Sequence, residues 1–215
     1  MKTLITSLIV LFFSISICHA QNSAYEKAMN KAMAEMESAQ TPEAMLAASN
    51  TFERIAQKAT DEYLPSYYAA LNLLNYNWTL KDPASRDEII DRALALVKKA
   101  EEINPGNDEV EVLNGYGLMA KMTVDPMNRG QSYSPIIMQS FGKALAINPE
   151  NPRAMIMMAQ MELGTAQFMG TEPVRACDLA QKGKEVLETT PDTEGFEPKW
   201  GMHSANEILS SCNAN

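Results

Sequence analysis

Two stretches of this chain carry the same pattern of small and apolar residues, and each stretch ends in proline. Within each copy the residues are four, three and five positions apart, which places the apolar side chains on one stripe of a helix that the proline ends. The copies are Ala93, Val97, Ala100 and Pro105, and Ile137, Phe141, Ala144 and Pro149. A pattern that returns after about 40 residues indicates a repeat protein in which helix pairs stack on one another.

The prolines that end these segments recur along much of the chain. Pro65, Pro105, Pro149 and Pro191 are separated by 40, 44 and 42 residues. Helical periodicity and capping signals predict helices throughout, whereas signals for β-strands are nearly missing. The sequence therefore predicts an all-α fold, built as an α-solenoid of antiparallel helix pairs that ends in a capping helix over residues 200–212.

These residues resemble the tetratricopeptide repeat, whose second helix carries a small residue, an aromatic residue and another small residue before a closing proline. The family also needs a small residue where its two helices cross, and Gly115 and Ala159 lie ten residues after Pro105 and Pro149. Full copies cover residues 87–164, and the chain looks similar to small exported tetratricopeptide-like proteins of Bacteroidetes-type bacteria. The resemblance implies about four repeats in a right-handed α-solenoid.

The same resemblance implies a partner-binding groove on the concave face, which in this family receives an extended peptide or a partner helix. Positions just after the helix crossing point, and positions one or two turns earlier, should face this groove. They are Asn72, Tyr76, Glu109, Tyr116, Arg153 and Gln160. Phenol and amide groups at corresponding turns suit hydrogen bonding to a peptide backbone; the alternative is an ordinary solvated surface.

The repeat length departs from the family, whose unit is about 34 residues. The surplus falls between the two helices of each pair, and the longest case is a connection over residues 123–134. Met127, Arg129 and Tyr133 give this connection the mixture of side chains that a partner-binding loop has. Two interpretations stay open: the connection contacts a partner, or it folds back as packing.

Residues 1–20 have the features of a cleaved signal peptide. An apolar run over residues 4–17 follows a single lysine, and small residues precede the expected cleavage site after Ala20. The run is too short to span a bilayer. We therefore expect one exported domain over residues 21–215, in the periplasm or secreted. Lipidation at Cys18 is the alternative, which the large residue before it disfavours.

The mature chain is acidic, with 17 basic residues after removal of Lys2 against 27 acidic ones, a net charge of −10. Nucleic acids and anionic membranes attract basic clusters, so neither is an expected partner. Cys177 and Cys212 remain after cleavage, in a compartment that favours disulfides and near the ends of neighbouring predicted helices. We predict a disulfide between them, with two free thiols as the alternative.

The mature chain lacks the residue types that catalysis usually needs. Its single histidine, His203, cannot form a cluster of imidazole ligands for a metal ion. Neither a glycine-rich phosphate loop nor a nucleophile motif occurs. We therefore predict no catalytic residue, no metal site and no cofactor, and we do not expect an enzyme.

Methionine is unusually frequent, since 14 of the 15 methionines lie after the signal peptide. They concentrate in two predicted helices, at Met29, Met33 and Met36 and at Met155, Met157, Met158 and Met161. Thioethers bind Cu(I), so copper binding is one interpretation. The helical spacing favours packing in the core, and an adaptable binding surface is the third interpretation.

Taken together, these patterns favour a monomeric, non-catalytic scaffold that binds a protein or peptide in the cell envelope through the groove. The alternative is a periplasmic protein that binds a small molecule or copper in a pocket under the 123–134 connection. A closed apolar pocket would favour the small ligand, and a groove with charged and aromatic side chains continuous over three helix pairs would favour the peptide.

Overall fold

The computed structural model describes residues 23–191 and 195–213, and over these ranges it consists of α-helices without a β-strand. The all-α prediction is confirmed, whereas the predicted signal peptide and Cys18 lie outside the described residues. Among the helices of these ranges, none is long and apolar enough to cross a membrane. The helices are α1 (23–37), α2 (Pro42–Lys58), α3 (Leu64–Asn77), α4 (Pro83–Ile103), α5 (Asp108–Val124), α6 (Pro126–Ile147), α7 (Pro152–Met169), α8 (Val174–Thr189) and α9 (Met202–Asn213).

Several helices begin at a polar residue that is followed by proline. Thr41, Asp82, Asp125 and Asn151 precede α2, α4, α6 and α7, and each side chain accepts a hydrogen bond from the backbone N–H three residues later. Proline in the first turn costs no hydrogen bond, because that N–H has no partner within the helix. These caps fix where the helices start and therefore which side chains face the core.

The repeated apolar pattern forms the buried faces of α4 and α6. Its six apolar members, at most 3% exposed, are Ala93, Val97, Ala100, Ile137, Phe141 and Ala144. Gly115, at the predicted crossing point, lies so close to the ring of Phe141 that a side chain there would collide with it. The pattern therefore marks core positions, and the glycine lets α5 and α6 approach each other closely.

The helices from α2 to α9 each pack against the next helix in the chain. In addition, α3, α5, α7 and α9 contact one another in that order and form a continuous row. The first three of these helices are buried around much of their circumference. This row carries most of the core and also provides much of the wall of the candidate site described below.

The predicted long connection over residues 123–134 is wrong. Asp125 alone separates α5 from α6, and α6 begins at Pro126, inside the predicted connection. The cause is the Asp125 cap followed by proline, a helix start signal that also occurs in turns. Pro135 lies inside α6 although it removes a backbone donor, and the Ser134 hydroxyl donates to the carbonyl oxygen of Gly130 at 2.6 Å. Residues 126–134 are therefore the first turns of α6 and not a loop.

The predicted disulfide between Cys177 and Cys212 is confirmed, with the two Cα atoms 6.0 Å apart. It joins the first turns of α8 to the last turn of α9. Because α9 is short and lies at the end of the row, the bond holds it against the rest of the fold.

Candidate functional site

An open cavity of about 1020 Å³ lies on one side of the row of helices. Its walls come from the C-terminal end of α3, from α5, from the first half of α6, from the second half of α7 and from the start of α9. Pockets for small ligands usually measure roughly 300–1,000 Å³. We call this space the cavity, and it has room for a large organic molecule.

Aromatic rings and thioethers dominate the walls of the cavity. Within the described part of the chain, no lysine or arginine is among the lining residues. The main lining side chains are Trp78, Tyr116, Phe168 and Trp200, together with Met119, Met122, Met127, Met157, Met161 and Met169. Methionine adapts its shape and contacts aromatic surfaces favourably. Such walls suit a flat apolar molecule, whereas an extended peptide needs many hydrogen-bond partners.

Tyr116 of α5 holds one wall of the cavity in a fixed arrangement. The indole Nε1 of Trp78 donates to its hydroxyl at 2.9 Å, and that hydroxyl donates to Asn75 Oδ1 at 3.3 Å. Burial raises the pKa of the Tyr116 phenol, although the hydrogen bond from Trp78 opposes this. The Arg86 guanidinium lies 5.1 Å from the ring centre of Trp78, a cation–π contact that adds support.

Trp200 forms another wall and is held in place from behind. Its Nε1 donates to the Tyr67 hydroxyl at 2.8 Å, and its carbonyl oxygen accepts from Arg153 Nη1 at 3.4 Å. Arg153 in turn donates twice to the carboxylate of Glu109, at 2.7 Å each. Burial lowers the pKa of Arg153 and is the largest single influence on it, but the hydrogen bonds to Glu109 and the negative charge of that carboxylate together raise the pKa. A buried ion pair therefore supports the indole.

The predicted groove residues separate into two sets. Tyr116 and Gln160 line the cavity. Glu109 and Arg153 form the buried pair behind Trp200 and are not among the lining residues.

Two further groove residues also lie away from the cavity wall. Asn72 is only 3% exposed and donates to the carbonyl oxygen of Tyr68 in its own helix. Tyr76 is half-buried and is not among the residues that line the cavity. The structure thus brings the predicted residues Tyr116 and Gln160 together without Tyr76.

The predicted loop residues also have different roles. Met127 lines the mouth of the cavity and is 81% exposed. Arg129 instead forms a two-pronged ion pair with Asp87 of α4, at 2.7 and 2.6 Å. Tyr133 is partly buried and packs against a core that contains Met119, Met157, Met158 and Met161, which we call the methionine-rich core. Of the two interpretations left open, packing holds for Arg129 and Tyr133, and exposure next to the cavity holds for Met127.

Sequence reasoning missed the two tryptophans of the cavity wall. Trp78 lies just after α3, and Trp200 lies in the connection before α9, so neither belongs to the repeated helical pattern. The methionine spacing of Met157 and Met161 was a usable signal, since both side chains line the cavity and also pack in the core. An adaptable binding surface and core packing are therefore combined in the same helix.

His203 of α9 also lines the cavity, next to Glu207. Its Nε2 lies 3.3 Å from Oε1 of Glu207, one turn later on the helix, and its side chain is 86% exposed. Within the described ranges, no group of three or more histidine, cysteine, aspartate or glutamate side chains could hold a metal ion alone.

No protein-family profile matches this chain, and no curated protein sequence matches it. Among solved structures, it is similar to the HusA haemophore from Porphyromonas gingivalis. The two share 28% sequence identity and superpose with a TM-score of 0.77, over 88% of this chain and 93% of the other. The likeness therefore covers most of both molecules.

Proposed function

We propose that this protein binds haem, or a closely related porphyrin, in the cavity. The observation that carries this proposal is a large cavity with aromatic and methionine walls, in a fold that is similar to a haemophore over 88% of the chain. A haemophore is a haem carrier, so haem would be cargo here and not a cofactor for catalysis. We further propose that the protein is exported and holds its ligand without chemical change.

The chemistry of the cavity walls agrees with this ligand. A porphyrin is a flat, apolar ring system that stacks on indole and phenol rings and on thioethers. Its propionate carboxylates need water or a cation, and within the described residues no lysine or arginine lines the cavity. The ring would therefore enter with its apolar edge first, leaving the carboxylates at the open mouth.

The protein-partner prediction has less support than the small-ligand alternative. Asn72, Glu109 and Arg153 are occupied by contacts inside the fold, so they are not available to a peptide. The row of α3, α5, α7 and α9 is the arrangement expected for the inner helices of a right-handed solenoid, and it supports that finer architecture. In this proposal the concave side of the solenoid receives a small molecule.

A variant that fills the cavity tests this function. Gly164 of α7 lines the cavity, and a Cβ built there meets no atom within 4 Å. Gly164→Trp should therefore occupy ligand space without disturbing the fold, and replacing a helical glycine favours the helix. Titration with haemin, followed by Soret absorbance, should show an affinity at least about tenfold weaker than that of the native protein.

The matched control is Gly142→Trp. Gly142 lies in α6, has equally open surroundings and is not among the residues that line the cavity. Its variant should bind haemin as the native protein does. If the native protein does not bind haemin, or if both glycine variants bind it equally well, the proposed function is wrong.

A further inference from the structure

Residues 195–201 lie just before α9, and we call them the strap. The strap carries Trp200, which lines the cavity. Its first and last residues, Gly195 and Gly201, have φ values of 121° and 123°, a backbone conformation that favours glycine. The strap contains no regular secondary structure. The position of the Trp200 side chain therefore depends on contacts with the rest of the fold.

Two neighbouring tyrosines of α3 hold the strap. The Tyr68 hydroxyl donates to the carbonyl oxygen of Phe196 at 2.7 Å, and the Tyr67 hydroxyl accepts from Nε1 of Trp200 at 2.8 Å. The partners are 128 and 133 residues apart in the chain, so these hydroxyl groups join distant parts of the sequence. Tyr68 fixes the backbone of the strap, whereas Tyr67 fixes a side chain of the cavity wall.

The Tyr67 hydroxyl has a defined direction because it belongs to a chain of hydrogen bonds. It donates to Oε2 of Glu109 at 3.4 Å, so its lone pairs are left to accept from the Trp200 indole. Glu109 is itself held by donors of Asn151 and Arg153, each at 2.7 Å. Tyr67 is fully buried, so bulk water does not reach it to replace a lost contact. The buried network therefore fixes the edge of the indole.

The Trp200 ring also contacts the other aromatic residues of the cavity wall. The ring centres of Trp200 and Tyr116 are 6.2 Å apart, and the ring planes are tilted by 35°. The Tyr116 hydroxyl accepts from Trp78, so the three rings form one continuous wall. Stacking between flat ring systems depends on their relative orientation. Rotation of the Trp200 indole would therefore reduce the surface on which a porphyrin can stack.

We infer that Tyr67 is a positioning residue for the ligand: its buried hydroxyl holds the Trp200 indole in the orientation on which the porphyrin stacks. This inference rests on the proposed function, and it adds that a residue outside the cavity sets part of the affinity. Tyr67 is not among the residues that line the cavity, so it acts through Trp200. Its ring packs in the core with Tyr68, and its hydroxyl alone has this second role.

A double-mutant cycle with Tyr67→Phe and Trp200→Phe tests the inference. Tyr67→Phe removes the hydroxyl and keeps the ring in the core. Haemin affinity, measured by Soret absorbance, should fall about fivefold, as expected for the loss of one buried hydrogen bond. Trp200→Phe removes the indole N–H and keeps an aromatic ring. In that background Tyr67→Phe should change haemin affinity by less than about twofold, whereas a purely structural effect of Tyr67 would persist.

Tyr68→Phe is the matched control, because it removes a neighbouring hydroxyl that bonds the strap at Phe196 instead of at the indole. In urea denaturation it should destabilise the fold about as much as Tyr67→Phe does, and its haemin affinity should stay within about twofold of the native value.

The outcomes separate this inference from the proposed function. If Tyr67→Phe leaves haemin affinity unchanged, or weakens it equally with and without the Trp200 indole, the inference is wrong while the proposed function stands. Equal weakening by Tyr68→Phe would also overturn the inference, because it would show that general loosening of the strap is the cause. If the native protein does not bind haemin, the proposed function fails and the inference fails with it.

Discussion

The core around Phe52 and Tyr68, which we call the N-terminal core, and the methionine-rich core beside the cavity are filled by different kinds of side chain. The N-terminal core is filled by rings in fixed contact: Phe52 stacks on Tyr68, and Tyr67 meets Tyr68 edge to face, each with ring centres 5.3 Å apart. The cavity region relies on methionines such as Met157 and Met161. Aromatic rings fix one geometry, whereas methionine adapts to what it contacts.

This difference assigns separate tasks to the two regions. The Tyr67 hydroxyl accepts from Trp200 and lies 3.4 Å from Oε2 of Glu109, so the rigid core reaches the cavity through a tryptophan. The methionine side of the cavity can adjust to a ligand while the tryptophan side stays in place. Changes in the N-terminal core should therefore alter stability, and changes near the cavity should alter binding.

The largest expected effect comes from Phe52→Ala. The ring is fully buried and stacks on Tyr68, so its removal leaves a cavity in the core. We expect the free energy of unfolding to fall by about 3–5 kcal/mol. Urea denaturation followed by circular dichroism measures this loss, and the haemin affinity of the folded variant should stay unchanged. A parallel loss of affinity would show that the two regions are not separable.

The matching substitution in the methionine-rich core is Met158→Leu. The side chain of Met158 is 6% exposed in this core, and leucine has a similar volume. Its cost should be about 1.5 kcal/mol or less by the same measurement. A cost equal to that of Phe52→Ala would mean that the methionines are as rigidly packed as the rings.

Removal of the disulfide should have the second largest effect after Phe52→Ala, and it should change binding as well as stability. Cys177 and Cys212 are 35 residues apart, and loss of the bond frees that segment in the unfolded chain. We expect the double alanine variant to lose about 2–4 kcal/mol in the free energy of unfolding. Because α9 carries cavity residues, haemin affinity should fall too. Unchanged affinity would show that packing alone positions α9.

The smallest effect concerns the ion pair that ties the start of α6 to α4. Hydrogen bonds from Arg129 lower the pKa of Asp87 to about 2, with burial opposing and Lys121 adding to the effect. A lowered pKa stabilises the fold above the ordinary value of about 3.9, and this contribution is lost as the pH falls towards about 2. Asp87→Asn should cost about 1 kcal/mol at pH 7, because water screens part of the interaction.

Urea denaturation at a series of pH values checks this sign. The difference between the native protein and Asp87→Asn should disappear between pH 4 and pH 2. Asp91→Asn is the control: its carboxylate contacts the same Lys121 but is 63% exposed, so its effect should be smaller. A difference that grows at low pH would contradict the assignment.

The helices and the core could be predicted from the sequence because the repeated pattern is local. Residues such as Val97 and Phe141 recur at helical spacing, and burial follows from that spacing. The two cysteines were predictable for the same reason, since neighbouring helix ends must meet. Each of these features depends on residues within one helix or one helix pair.

The cavity could not be predicted in this way, because its walls come from parts of the chain that are far apart in sequence. Trp78 and Trp200 lie outside the regular helices, and only the tertiary fold brings them to the same space. The start of α6 was missed for two reasons: aspartate followed by proline, as at Asp125, also occurs in turns, and proline rarely lies inside a helix, as Pro135 does. The repeat pattern assigned Glu109 and Arg153 to the groove, but the sequence does not show that they form an ion pair with each other.

The position of the tryptophans has a practical consequence. Trp78 and Trp200 are the two tryptophans of the chain, and both lie in the cavity wall. All indole fluorescence of this protein therefore originates beside the proposed ligand, and porphyrins absorb at the wavelengths at which indole emits. Occupancy of the cavity can be read by energy transfer in the unlabelled native protein, without background emission from any other part of the molecule.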